Sequence, residues 1–102
     1  MTKDELFAYL QNGLKELPGS SELLQKLEAK YGSEANLDAG DLLYWLYESI
    51  YDTQGWEKHH IDEGQAIKAA REKEELAVEN KAVELLQRLA KPVPTPEEQG
   101  SI

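Results

Sequence analysis

The chain has 102 residues and a formal charge of -9 at pH 7, a size that predicts a single domain and a charge that repels nucleic-acid phosphates and anionic membranes. We therefore expect no direct nucleic-acid binding and no membrane partner. The absence of cysteine excludes disulfides and thiolate metal sites, and without a long apolar run or a secretion leader we expect a cytoplasmic protein.

The first predicted helix begins after Thr2. Thr2 and Glu5 have the spacing of a capping box, in which each side chain accepts a hydrogen bond from the backbone N–H of the other residue. Four leucines then recur at helical intervals and predict a buried face: Leu6, Leu10, Leu14 and Leu17. The segment Pro18-Gly19-Ser20 is expected to end this helix.

A second, shorter helix is predicted from about Ser21 to Tyr31. Ser20 or Ser21 is the expected N-cap, because a serine hydroxyl can accept a hydrogen bond from a free backbone N–H of the first turn. Gly32 is the expected C-terminal cap, since glycine commonly ends helices.

The third predicted helix runs from about Asp38, its N-cap, to Thr53, and stops before Gly55. A rotation of about 100° per residue places its aliphatic side chains on one arc, its tyrosines beside that arc, and Trp45 nearly opposite. Two compatible interpretations follow. The helix is the centre of the core with tyrosine hydroxyls at the surface, or part of the aromatic surface is a protein interface.

The longest predicted helix runs from about Asp62 to about Ala90, because residues 65–91 include no glycine or proline. Asp62 and Gln65 are spaced like a variant capping box at its start. Such a helix would be roughly 40 Å long, more than the ~30 Å diameter of a small domain. Part of it is therefore expected to project or to meet a partner.

The two halves of this helix differ in composition. From Leu76 onward it is apolar enough to be buried, whereas the first half is charged and is expected either to face solvent or to form the rim of an interface. Leu76 and Val83 are seven residues apart, but Glu72 and Glu79 occupy the matching d positions. This disfavours a long two-stranded coiled coil and favours a packed bundle helix.

These patterns predict an all-α protein, a small bundle of three short helices and one long C-terminal helix that form a single domain over residues 1–91. No segment alternates with the period of a β-strand. Residues 92–102 contain three spaced prolines and two glutamates, and this composition predicts a flexible, disordered Pro-rich tail.

Chemical motifs are scarce. His59 and His60, with Asp62 and Glu63 nearby, are the one cluster with metal-ligand chemistry, but adjacent histidines point in different directions on any regular element. We therefore predict no metal and no cofactor. The chain also lacks a phosphate-binding glycine loop and a nucleophile elbow, so an enzyme is not expected, and a small enzyme or metal protein remains the least favoured alternative.

The leading prediction is a non-enzymatic protein–protein interaction module, a regulator, adaptor or inhibitor, whose partner is another protein and which also self-associates, as a homodimer, through its helix faces. The candidate interface residues are Tyr44, Trp45, Tyr47, Tyr51, Trp56, Ile67 and Ala70. The alternative is an acidic nucleic-acid mimic that inhibits a DNA- or RNA-binding protein by presenting carboxylates in place of phosphates.

Overall fold

A computed structural model describes residues 1–90, and these form four α-helices. Their bounds are α1 Lys3–Leu14, α2 Ser20–Tyr31, α3 Ala39–Asp62 and α4 Ala66–Ala90. The all-α prediction is confirmed. Within residues 1–90 no helix combines the length and apolar character needed to cross a bilayer. The predicted tail, residues 92–102, lies outside the described residues, as does Lys91.

Helix α1 begins as its sequence predicts. The Thr2 hydroxyl accepts a hydrogen bond from the Glu5 backbone N–H at 3.1 Å, and the Glu5 carboxylate accepts one from the Thr2 N–H at 2.9 Å. Both halves of the capping box are therefore present. The helix ends at Leu14, one turn earlier than the leucine pattern suggests, and Leu17 lies half-buried in the following turn.

Helix α2 begins at Ser20 with Gly19 as its N-cap, so the prediction of a serine cap was wrong. Gly19 has φ = 84°, a left-handed conformation that glycine adopts without the clash a Cβ atom would cause. The tight turn after Pro18 requires this conformation and leaves no serine in the capping position. At the other end, Gly32 is the C-terminal cap as predicted, and its N–H donates to the Glu28 carbonyl at 2.8 Å.

Helix α3 continues to Asp62 and does not stop at Thr53 as the sequence suggested. Gly55 lies inside it, at a cost of about 1 kcal/mol relative to alanine. Packing against α4 offsets that cost, because the helix runs beside α4 for most of its length. The architecture is therefore two short helices packed on a hairpin of two long ones, and the predicted arrangement of three short helices and one long helix is corrected.

Three residues connect α3 to α4, and Gly64 is the central one. The Gln65 N–H donates to the His60 carbonyl at 2.8 Å and the Gly64 N–H donates to the Ile61 carbonyl at 3.0 Å, which is the hydrogen-bond pattern of a Schellman motif. Gly64 has φ = 74°. Asp62 is therefore the last residue of α3 and not the N-cap of the next helix, so the predicted capping box was wrong.

The core lies between α1, α2 and the inner half of the hairpin, that is, the start of α3 and the end of α4. Its buried apolar side chains are Leu6, Leu10, Leu14, Leu23, Leu27, Leu37, Leu42, Leu46, Val78, Ala82, Val83, Leu85 and Leu86. A Cβ atom on Gly13 would lie 2.5 Å from Leu85 Cδ1, so this glycine allows α1 to approach α4 closely. The Tyr9 hydroxyl also donates to the Leu85 carbonyl at 2.9 Å.

Candidate functional site

The interface between α3 and α4 is a seam that follows a heptad spacing on α4. Its residues are buried or half-buried: Ala69, Glu72, Leu76, Glu79, Val83 and Leu86. The two glutamates that argued against a coiled coil both face α3, where His60 contacts Glu72 and Ser49 contacts Glu79. The repeat is therefore used within the chain, between two antiparallel helices. Glutamates at d positions were the signal that could have identified these polar contacts from sequence.

Glu79 is a buried carboxylate, with only 1% of its surface exposed. Its Oε2 accepts a hydrogen bond from the Ser49 hydroxyl, and the Thr53 hydroxyl lies 3.3 Å away. Its Oε1 has no partner among residues 1–90. Burial raises the pKa of Glu79, and the hydrogen bonds from Ser49 and Thr53 offset part of that rise.

The space beside Glu79 is too small for a substrate. The adjoining hollow has a volume of about 10 Å³ and reaches Glu75 and Lys26, so it is no larger than one water molecule. A general acid or base must lie within hydrogen-bond reach of a bound reactant. The Glu79 carboxylate therefore serves packing and alignment of α3 with α4 in this geometry.

The two histidines lie in the last turns of α3 and are engaged in local contacts. His60 Nδ1 is 2.7 Å from Glu72 Oε1, and both side chains are largely buried. The Trp56 ring stacks on His60 with centroids 5.8 Å apart, and the His59 ring contacts the edge of Trp56 at 5.7 Å. Across the described part of the chain, no three His, Asp or Glu side chains are arranged to hold a metal ion.

Three tyrosines form an exposed row on the outer side of α3, which we call the tyrosine face. Tyr44 is 67% exposed, Tyr47 is 50% exposed and Tyr51 is 78% exposed. Their spacing of three and four residues places them on one side of the helix. The Tyr47 hydroxyl accepts a hydrogen bond from the Gln87 side chain at 3.0 Å, which orients that ring beside α4. Trp45 is half-buried against the core and does not belong to this row.

The remaining candidate residues lie in the outer half of the hairpin. Ile67 is 76% exposed and Ala70 is also exposed, both on the first two turns of α4. With Ile61 they form the hairpin tip, which we define as residues 61–73. Trp56 is 58% exposed but stacks on His60 on the flank of α3. The seven predicted residues therefore do not form one surface, because ten residues of α3, about 15 Å, separate Tyr51 from Ile61 at the start of the tip.

Acidic and basic side chains are interleaved over most of the surface. Ion pairs join Lys3 to Asp4, Lys26 to Glu75, Lys58 to Asp62, and both Lys81 and Arg88 to Glu84. Pairs exposed in this way contribute about 0–1 kcal/mol each. Their consequence is electrostatic, because cations between the carboxylates interrupt the continuous negative row that imitation of a phosphate backbone requires.

Comparison of the chain with protein-family models, with curated proteins and with solved structures finds no match. The exposed surfaces of the molecule are therefore the basis for a functional proposal.

Proposed function

We propose that this protein is a non-enzymatic protein–protein interaction module, a regulator, adaptor or inhibitor, and that the tyrosine face is its binding surface. The observation that carries this proposal is the exposure of Tyr44, Tyr47 and Tyr51 beside a core that is closed without them. Tyrosine combines a large apolar ring with a polar tip and few rotatable bonds, and it is enriched at binding hot spots.

Two other features of the chain bear on this proposal, namely its hollows and its lack of cysteine. The buried Glu79 adjoins a hollow of only about 10 Å³. His60 and Glu72 line a hollow of about 490 Å³ together with Lys68, Arg71 and three further glutamates, so the preference for binding over catalysis rests on the tyrosine face and not on the absence of a hollow. A protein without cysteine is suited to the reducing cytoplasm, where we place its activity.

A second copy of the chain is the first partner to test. In a two-fold dimer the same row of tyrosines would pack against itself. The exposed carboxylates of Glu48 and Asp52 lie close to that row and would approach their counterparts in the other copy. Salt screens such repulsion, so self-association through this face is expected to strengthen as salt rises. A complex with a basic partner, including one formed by nucleic-acid mimicry, weakens with salt instead.

The test compares a Tyr44→Ser/Tyr51→Ser variant with wild type by sedimentation equilibrium at low and high salt, up to high micromolar concentration. We expect the double substitution to weaken association by about ten-fold or more, equivalent to about 1.4 kcal/mol. Ile67→Ser is the matched control, because Ile67 is equally exposed but lies at the hairpin tip. All three positions are exposed, so folding stability should change by less than about 0.5 kcal/mol.

The proposal is refuted if both of the following results are obtained. The first is a wild-type protein that stays monomeric at every concentration and salt. The second is that partner proteins captured by the wild-type chain from a lysate of its native host are captured equally well by the double tyrosine variant.

A further inference from the structure

The tyrosine face lies beside the end of α4. The Gln87 side chain donates to the Tyr47 hydroxyl at 3.0 Å, and α4 ends three residues later, at Ala90. Because α3 and α4 are antiparallel, Ala90 is level with Tyr44, which begins the tyrosine row. The segment 91–102, which lies outside the described residues, therefore leaves α4 next to this face.

The sequence that follows α4 suits a surface of aromatic rings. It has three prolines at alternate positions, Pro92, Pro94 and Pro96. Such a sequence favours polyproline II, a conformation without internal hydrogen bonds, so its carbonyl oxygens are free to accept them. Proline-rich segments of this kind dock in grooves lined by aromatic side chains. Tyr44 and Tyr51 supply rings and hydroxyls, and neither hydroxyl has a hydrogen bond within residues 1–90.

The proline segment and the tyrosine row have similar lengths. Tyr44 and Tyr51 are seven residues apart on α3, about 10 Å along the helix axis. Residues 92–96 span about 12 Å in polyproline II, at ~3.1 Å per residue. Pro92 disfavours helical conformation at Lys91, so the chain leaves the axis of α4 there and can turn toward α3. The segment is therefore long enough to reach the whole row.

We infer that the chain's own residues 92–96 pack on the tyrosine face and compete there with its partners. The inference rests on the proposed function of that face as a binding surface and adds a regulator of it. Covalent attachment selects this occupant over a separate molecule of the same chemistry, because a short tether gives an effective concentration on the order of 1 mM. A weak contact that a separate molecule would not maintain at micromolar concentration is therefore occupied within one chain.

Charge opposes this contact, so apolar packing and hydrogen bonds must supply it. Glu97 and Glu98 follow the proline segment, and Glu48 and Asp52 are exposed beside the tyrosine row. Salt screens the repulsion between these carboxylates, so docking of the segment is expected to strengthen as salt rises. Glu97→Gln/Glu98→Gln should strengthen it at low salt for the same reason.

A nitroxide label on the full chain tests where the segment lies. The chain has no cysteine, so Gln99→Cys provides a single attachment point three residues after Pro96. The unpaired electron of the label broadens the NMR signals of nearby protons. We expect the ring signals of the tyrosine face, including Tyr51, to lose most of their intensity. The methyl signals of Ile67, at the opposite end of α4, should keep theirs.

Two variants of the labelled chain separate docking from mere closeness to the end of α4. Pro94→Ser/Pro96→Ser removes two prolines, whereas Thr95→Ser/Gly100→Ser changes two positions of the same segment and keeps every proline. The first variant should restore the Tyr51 signal, and the second should leave it broadened. Tyr44→Ser should also restore the Tyr51 signal, because it removes one of the rings on which the prolines pack.

Competition with partners is tested by sedimentation equilibrium of the unlabelled chain. With an effective concentration of ~1 mM, a contact with a Kd of about 0.1 mM occupies roughly nine-tenths of the faces. A partner then binds about ten-fold more weakly than it binds a free face. Self-association should therefore be stronger by about ten-fold or more in Pro94→Ser/Pro96→Ser, since a dimer needs two free faces, and unchanged in Thr95→Ser/Gly100→Ser.

Three outcomes would overturn the inference. The first is a Tyr51 signal that the label does not broaden, or that stays broadened in Pro94→Ser/Pro96→Ser. The second is broadening that occurs only between copies, measured by mixing the labelled chain with an isotope-enriched chain that carries no label; the occupant is then the segment of a second copy. The third is docking that leaves self-association and partner capture the same with and without the prolines.

The label reports docking without any partner, so the two proposals fail in different ways. If the tyrosine face is not a binding surface, neither the wild type nor the proline variant associates or captures a partner through it, whatever the label shows. If the segment does not dock, the Tyr51 signal stays sharp while Tyr44→Ser/Tyr51→Ser still weakens association.

Discussion

Replacing Glu79 with glutamine is expected to stabilise this protein at neutral pH. Glu79 is 1% exposed and its Oε1 has no partner among residues 1–90; a buried group without its hydrogen bond costs about 1–3 kcal/mol when neutral and more when charged. Glutamine removes the buried charge and still offers an oxygen to Ser49 and Thr53. Its amide nitrogen remains without a partner, and the bonds to a neutral oxygen lose roughly 1 kcal/mol of strength, so the gain comes only from the lower cost of burying a neutral group. The net expectation is a gain of about 1 kcal/mol, or roughly 4–8 °C in Tm for a domain of this size.

The pH dependence of this gain identifies its cause. Because burial raises the pKa of Glu79 above its ordinary value of 4.5, folding favours the protonated form. That contribution to stability is fully present below the ordinary pKa and is lost as pH rises through the raised one. The advantage of glutamine should therefore be small in acid, grow as pH rises through the folded-state pKa, and stay constant above it.

Glu84→Gln is the matched control for this experiment. The hydrogen bond from Lys81, with the charge of Lys81 and Arg88, lowers the pKa of the exposed Glu84 carboxyl, so its ionised form favours folding. That contribution is present above the ordinary pKa and is lost as pH falls through the lowered one. The glutamine variant at this position should therefore be slightly less stable than wild type at neutral pH, and the difference should disappear in acid.

The free energy of unfolding of the three proteins is measured by urea titration, followed by circular dichroism, from about pH 2.5 to pH 8, so that the range extends below the ordinary and lowered pKa values of a glutamate. Subtracting wild type from each variant removes the effect of the other carboxylates, which are common to all three. The reasoning is refuted if Glu79→Gln is less stable than wild type at neutral pH, or if its difference from wild type does not change with pH.

Three further predictions concern glycines. Gly13→Ala should destabilise the protein by about 1 kcal/mol, because displacing the Leu85 side chain costs about 1–3 kcal/mol and the gain in helix propensity returns only ~1 kcal/mol. In a Leu85→Val background, urea titration should show that Gly13→Ala stabilises the protein instead. If the effects of the two substitutions simply add, Gly13 and Leu85 are not in contact. Gly55→Ala should raise stability by about 1 kcal/mol, since Gly55 is helical with no other atom near its Cβ position. Gly64→Ala should lower stability by about 1 kcal/mol, because φ is 74° there. If Gly55→Ala and Gly64→Ala changed the free energy of unfolding equally, the turn between α3 and α4 would not lie at Gly64.

The structural features that could be predicted from the sequence are those set by residues close together in the chain. The Thr2 capping box and the Asp38 N-cap occur as expected, because each is a contact between a side chain and backbone atoms within three residues. The separation of leucines from tyrosines on α3 was also predictable, since it follows from helix geometry alone.

The end of α3 could not be predicted, because it depends on contacts that are distant in sequence. Gly55 and Gly64 carry the same local signal for a helix end, and only packing against α4 decides that Gly55 stays helical while Gly64 takes the left-handed conformation. The same ambiguity affected Asp62, which can begin one helix or end another. For the candidate site, placing the turn at Gly64 determined which aromatic and apolar residues share a surface.

The polar contacts along the hairpin also fix how its two helices align. A slip of one heptad in one direction would bring the Glu79 carboxylate level with Leu46, and a slip in the other direction would bring Leu86 level with Thr53. Either slip places a leucine against a group that needs a hydrogen bond, at a cost of about 1–3 kcal/mol for each partner lost. The few hydrophilic side chains between α3 and α4 therefore fix how far the hairpin extends beyond the core. They also fix where a molecule bound at the hairpin tip would be held.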